Sequence, residues 1–128
     1  MKTIRIGAHR GAMAYQPENT LAAFETAIRQ GAYRIEFDIR RTRDGHLVVI
    51  HDETVDRTTD GEGRVADLTL SELKKLRSGN EEIPTLDEAI SCMRNRARLL
   101  VEFKEGDIAE QAVRQVEAAG VVDQCTLS

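Results

Sequence analysis

No run of apolar residues in this sequence approaches the ~20 that a bilayer-crossing helix requires. The opening residues, Met1 to Gly7, turn polar too early for the apolar centre of a signal peptide. Both absences predict a cytoplasmic protein with no stable membrane insertion. Positive charge is not in excess either: 18 Lys and Arg stand against 22 Asp and Glu, a net charge of −4. No overall field draws the chain to nucleic acid, and an anionic substrate would need local help. Cysteine is scarce. Cys92 and Cys125 lie in apolar stretches of a predicted helix and a predicted strand without metal-like spacing, so they read as buried thiols rather than ligands. Internal repeats, low-complexity tracts and linkers are also missing, which leaves one globular domain over residues 1–128.

What the sequence does contain is an alternation of β-rich apolar runs with helical patterns. Thr3 to Ala8, Arg34 to Ile39, Arg98 to Lys104 and Gln124 to Ser128 read as strands. This is the βαβα order of a parallel sheet. Between them, Asn19 reads as a helix N-cap, with Leu21, Phe24, Ala27 and Ile28 on one face and Gly31 as the stop. A second helix begins at Thr85, where Glu88 completes a capping box, and a third runs from Asp107 to Gly120. The polar stretch from Asp52 to Asn80 reads as loop with one short helix at Ser71 to Leu76.

The run Leu47 to Ile50 follows the second strand too closely for a parallel connection. Asp44-Gly45 as a two-residue turn predicts an antiparallel hairpin in which Arg43 pairs with His46. Continuing that register sets His51 opposite Asp38, an imidazole beside a carboxylate on one face. His46, in the turn itself, is assigned no role.

A fully buried parallel strand should be nearly all apolar, yet Arg34 to Arg40 alternates Ile35, Phe37 and Ile39 with Glu36 and Asp38. Leu99 to Lys104 does the same, with Val101 and Phe103 on one face and Glu102 and Lys104 on the other. Three acids and a lysine therefore converge on one side of a parallel sheet. Unpaired buried carboxylates are costly, and a hard divalent cation with oxygen ligands is the simplest compensation; an ion pair such as Glu102 with Lys104 is the plainer one. His9-Arg10 sits just past the first strand and His51-Asp52 at the end of the hairpin arm. A histidine can carry a proton at neutral pH, and Arg10 offers planar donors for phosphate oxygens.

The ordered set His9-Arg10-Gly11, Pro17-Glu18-Asn19-Thr20, Glu36-Phe37-Asp38, Thr42-Arg43-Asp44-Gly45, His51-Asp52, Pro84-Thr85-Leu86 and Glu102-Phe103-Lys104 resembles, in order and spacing, the glycerophosphodiester phosphodiesterases. The resemblance implies that Glu36, Asp38 and Glu102 bind a divalent ion, Ca or Mg. It also implies that His9 and His51 are the catalytic acid/base pair and that Arg10 and Lys104 contact the substrate phosphate. The implied reaction is in-line displacement at phosphorus of a small soluble glycerophosphodiester, yielding sn-glycerol 3-phosphate and an alcohol such as choline or ethanolamine. The predicted pairing of His51 with Asp38 favours His51 as base and His9 as leaving-group acid.

The expected fold is α/β, a partial TIM (β/α) barrel with about four parallel barrel strands plus a β-hairpin arm, the N-terminal half of the family's barrel. A complete barrel takes eight such strands and about 250 residues. Three explanations are open: a shortened chain, one segment of a longer one, or a homo-oligomer in which a second copy covers the open half-barrel. The alternatives in function are a poorly active phosphate- and metal-binding half-barrel, a lysophospholipid-directed phosphodiesterase, and a structural fragment with solvated charges.

Overall fold

The computed structural model describes residues 4–128. Four parallel strands, β1 (Gly7–His9), β2 (Arg34–Arg41), β4 (Arg98–Phe103) and β5 (Cys125–Leu127), lie side by side in chain order. Three helices, α1 (Leu21–Arg29), α3 (Leu86–Met93) and α4 (Ala109–Ala119), connect them. The result is a segment of a (β/α) barrel. Thr3 of the expected first strand lies outside the described residues, and within them that strand begins at Gly7.

The alternation expected of β2 holds. Ile35, Phe37 and Ile39 are fully buried and pack with Leu99 and Val101 of β4 beneath Phe24, Leu86, Ile90 and Met93 of the helices. Their partners in the alternation, Glu36, Asp38 and Glu102, face the opposite side. Burial of the apolar side chains fixes the register. A one-residue slip would send every carboxylate into the helical layer.

The helix boundaries show which polar residues the chain spends on capping. Thr20, not Asn19, caps α1: its hydroxyl accepts from the Ala23 amide at 3.2 Å. Asn19 instead takes a left-handed conformation, φ 56°, and turns its side chain elsewhere. Gly31, φ 83°, closes α1 as a Schellman motif, with the Ala32 amide donating to the Ala27 carbonyl and Gly31 to Ile28. The capping box of Thr85 and Glu88 forms as predicted. α4 starts two residues later than expected, at Ala109, because the Asp107 carboxylate pairs with Arg41 instead of capping.

β3 (Leu47–Val49) runs antiparallel to the end of β2, on the edge that β1 leaves free. Its register corrects the expected one. Ile39 pairs with Val49 and Arg41 with Leu47, and the Thr42 amide bonds the His46 carbonyl. The loop is therefore the three residues Arg43, Asp44 and Gly45, with Gly45 at φ 89°. Thr42 Oγ1 selects it by donating to Asp44 Oδ1 at 2.7 Å and accepting from the His46 amide at 3.0 Å. Asp38 is consequently opposite Ile50, whose amide donates to the Asp38 carbonyl, and His51 lies one residue beyond.

The run Leu47 to Ile50 is apolar throughout because it is buried on both faces: Leu47 and Val49 join the main core, Val48 and Ile50 a second one. That second core, completed by Val55, Val65, Leu73 and Ile83, gives residues 52–83 a fixed shape. It also seats the short helix α2 (Leu70–Lys74), opened by a capping box of Thr69 and Glu72. Cys92 and Cys125 are free and half-buried, and burial pushes both thiols up. Among the described residues no helix is long and apolar enough to cross a membrane.

Candidate active site

Side chains with chemistry to offer gather where the parallel strands end. Asp38 and Glu102 are direct neighbours across β2 and β4, and Glu36 lies one step back on the same face. One carboxylate oxygen from each of the three falls within 4.8 Å of the others. Asp38 is at the centre and fully buried. Its Oδ2 accepts from Asn19 Nδ2 at 3.1 Å and lies 3.5 Å from Arg10 Nε. Its Oδ1 is 3.6 Å from Lys104 Nζ and has no hydrogen-bond partner among the described residues.

Lys104 Nζ donates to Glu102 Oε1 at 2.8 Å. That bond is the main reason the Glu102 carboxyl lies below the usual range and the Lys104 ammonium above it. The predicted ion pair therefore exists, but it does not satisfy Asp38. A buried carboxylate oxygen without a donor is expensive, and the donor set is oxygen only, which suits a hard divalent cation. Charge agrees: three carboxylates against Arg10 and Lys104 leave one negative charge. A divalent ion would reverse that sign, and a phosphodiester would then bring the site to neutrality.

The loop after β1 is shaped by a tight backbone turn. Arg10, φ 55°, and Gly11, φ 80°, are both left-handed, and the Arg10 amide and carbonyl bond to Glu36 and Asn19. A Cβ on Gly11 would lie 2.7 Å from Ala23 Cβ and 2.8 Å from the Ala23 carbonyl carbon, so only glycine fits. This turn aims Arg10 inward. Strain of this kind in a non-glycine residue such as Arg10 is what functional loops carry. His9, half-exposed, places Nε2 3.5 Å from Glu36 Oε1.

His51 is brought to the same mouth by β3, but it is held by Asp52 rather than Asp38, with Nδ1 2.7 Å from Asp52 Oδ1. Arg40 Nε anchors the His51 carbonyl at 2.9 Å. Behind the pair stands Arg57, whose guanidinium forks between two carboxylates. It bonds Asp52 at 2.7 and 3.0 Å and Glu18 at 2.8 and 3.1 Å. The Arg57 bonds hold the Asp52 carboxyl far below its usual range and raise the Arg57 guanidinium in turn. Burial pushes the Glu18 carboxyl up, but Arg57 and Arg10 outweigh it and leave it lowered.

All seven residues singled out in the sequence thus stand at this end of the sheet, in two groups. Glu36, Asp38, Glu102, Lys104, Arg10 and His9 touch one another directly; His51 belongs to the Asp52, Arg57 and Glu18 network, which joins the first group through Arg10 and Glu18 at 3.1 Å. Sequence reasoning missed Asn19, Arg40 and Arg57. Arg40 was within reach, since it continues the alternation of Glu36 and Asp38. The partners of Arg57 lie 5 and 39 residues away, and nothing in its local pattern marks it.

Fold and site together define a (β/α)-barrel segment with an acidic, cation-flanked mouth fit for a divalent ion. Residues 9–125 match the glycerophosphoryl diester phosphodiesterase family, and the chain belongs to that family. It is 48% identical over 124 residues to the glycerophosphodiester phosphodiesterase of Caldanaerobacter subterraneus, covering 90% of this chain and 51% of that protein. Among solved structures it resembles the glycerophosphodiester phosphodiesterase of Agrobacterium tumefaciens, with TM-score 0.92 and 40% identity over 98% of this chain and 57% of the other. It also resembles an Oleispira antarctica phosphodiesterase solved with the product sn-glycerol-3-phosphate, with TM-score 0.81 and 34% identity over 97% of this chain and 56% of the other. The chain thus spans about half the length of these relatives.

Proposed function

We propose that these residues form the metal- and phosphate-handling half of a glycerophosphodiester phosphodiesterase barrel, acting on small soluble diesters to give sn-glycerol 3-phosphate and an alcohol. The observation that carries the reading is Asp38: fully buried, short of a donor at Oδ1, and flanked by Glu36 and Glu102. Glu36, Asp38 and Glu102 would hold Ca or Mg, which when bound would supply positive charge to stabilise charge building on the phosphate oxygens. Arg10 and Lys104 flank Asp38 from two sides and orient the diester through its remaining oxygens.

His51 is the general base. Asp52 accepts from Nδ1, which selects the tautomer whose Nε2 lone pair is free to take a proton from the attacking hydroxyl. Asp52, not Asp38, thus orients the imidazole. His9, at the end of β1 beside Glu36, is the acid that protonates the departing alcohol. A cytoplasmic setting, where deacylated phospholipid head groups become available, suits this substrate choice.

β1 and β5 each pair on one side only among the described residues. This supports a second reading, in which the residues bind metal and phosphate but turn over slowly unless a second copy of the chain walls the mouth. Hydrolysis of glycerophosphocholine with Mg or Ca, abolished by chelator and by Asp38→Asn, is the expected result. Calorimetric binding of the ion without turnover selects the second reading, and solution mass then tests for the second copy. Absence of ion binding by the wild-type chain sinks both.

A further inference from the structure

Beyond the acidic trio the same face of the sheet changes sign. Arg40 follows Glu36 and Asp38 in the alternation of β2, and the Lys104 amide donates to the Ile39 carbonyl at 3.2 Å, which sets Arg40 beside Lys104. This cationic row opens into a cleft of about 650 Å³ lined by Arg40, Arg41, Arg43, Arg64 and Lys104 and by three carboxylates. The cleft thus has two positive charges in excess within a chain of net charge −4. Its floor, Lys104, is shared with Glu102 and Asp38.

Of the three ion pairs that line the cleft, Arg41 with Asp107 is closely bonded and the other two are looser. Arg64 and Glu53 are both more than half exposed, and Arg40 Nη1 lies 3.9 Å from Glu105. An exposed pair such as Arg64 with Glu53 is worth little and rearranges readily, and the Arg40–Glu105 contact, though more buried, is beyond hydrogen-bond reach. Arg43 forms no ion pair among the described residues, and it stands on a fixed turn: Asp44 Oδ1 binds both the Thr42 hydroxyl and the Leu70 amide, at 2.7 and 3.0 Å. A guanidinium is a planar fork matched to carboxylate and phosphate oxygens.

We propose that this cleft is a subsite for a second oxyanion on the alcohol portion of the diester, so that anionic head groups are preferred over those without one. The inference rests on the phosphodiesterase reading and names its substrate class. A carboxylate and a second phosphate would be recognised by the same chemistry.

sn-Glycero-3-phosphoserine and sn-glycero-3-phosphoethanolamine differ by one carboxylate and serve as the probe pair. With Mg present, kcat/KM and calorimetric Kd are measured for both, on the wild-type chain and on Arg43→Glu, which lies outside the proposed catalytic machinery. The charge reversal should weaken the serine diester about tenfold, equivalent to ~1.4 kcal/mol, and leave the ethanolamine diester within about twofold. Raising the salt should shrink the serine effect. Equal effects on both diesters, or none on either, overturn the subsite while leaving the phosphodiesterase reading intact. If the wild-type chain neither binds nor hydrolyses either diester, the underlying reading fails and takes the subsite with it. A melting temperature shared by variant and wild type confirms that the comparison is between folded proteins.

Discussion

Arg57→Ala should separate the electrostatic contribution of the Glu18, Arg57 and Asp52 network from simple packing. The guanidinium makes four bonds to two carboxylates, which if fully buried would each contribute about 1.5–3 kcal/mol. The Arg57 side chain is 52% exposed, however, and Asp52 is 24% exposed, so solvent screening removes most of that. Glu18, at 10%, is the partner least able to find water instead. A loss of about 2 kcal/mol follows, roughly a 6–8 °C fall in melting temperature for a domain of this size.

The pH dependence supplies the test. Glu18 and Asp52 both have lowered pKa values in the folded chain, so the stability they contribute is fully present above their ordinary values near 4. It is lost as pH falls through the folded values. The gap between wild type and Arg57→Ala should therefore be constant from pH 8 to about pH 5 and shrink below about pH 4, read by thermal melts across that range. Arg57→Lys keeps the charge but not the fork and should recover less than half of the gap. A gap that persists unchanged to pH 2 would show that the side chain's stem, not its ion pairs, carries the effect and would refute the reasoning.

Gly11→Ala forces a Cβ to within 2.7 Å of Ala23 at a left-handed φ; it should cost at least about 2–3 kcal/mol, visible as a drop in melting temperature. Asn19→Ala removes the one hydrogen bond to Asp38 Oδ2 among the described residues and places alanine at φ 56°. A loss of about 2–3 kcal/mol is expected, and added Mg should restore less stability than it adds to the wild type. Cys92 and Cys125, raised by burial, should react with a thiol reagent at neutral pH far more slowly in the folded chain than in urea; equal rates would show that both are accessible.

The residues legible in the sequence are those whose placement follows from local periodicity. Glu36, Asp38, Glu102 and Lys104 fall on one face because strands alternate with period two, and the buried Ile35, Phe37 and Val101 leave them no other side. Thr85 and Glu88 were legible as a capping box because its geometry spans only three residues. Asn19 was misassigned because asparagine both caps helices and tolerates left-handed backbone, and only tertiary structure shows that the second property is the one used here. The order between residues 52 and 83 was missed because its core draws single residues, Val55, Val65, Leu73 and Ile83, from a stretch with no period.

The hairpin shows how one local choice reaches the chemistry. Asp44-Gly45 reads as a two-residue turn, but Thr42 donates to Asp44 and accepts from the His46 amide, which stabilises a loop one residue longer. The register then moves by one, Ile50 takes the position opposite Asp38, and its apolar side chain joins the second core. His51 is carried past the carboxylates and meets Asp52, which Arg57 holds in place. In the shorter loop a histidine beside Asp38 would have competed with Arg10, Lys104 and any cation for the same two oxygens. The longer loop leaves Asp38 to Asn19, Arg10 and Lys104 and gives His51 a carboxylate of its own, so that under the proposed function proton transfer and charge stabilisation would be carried by different acids.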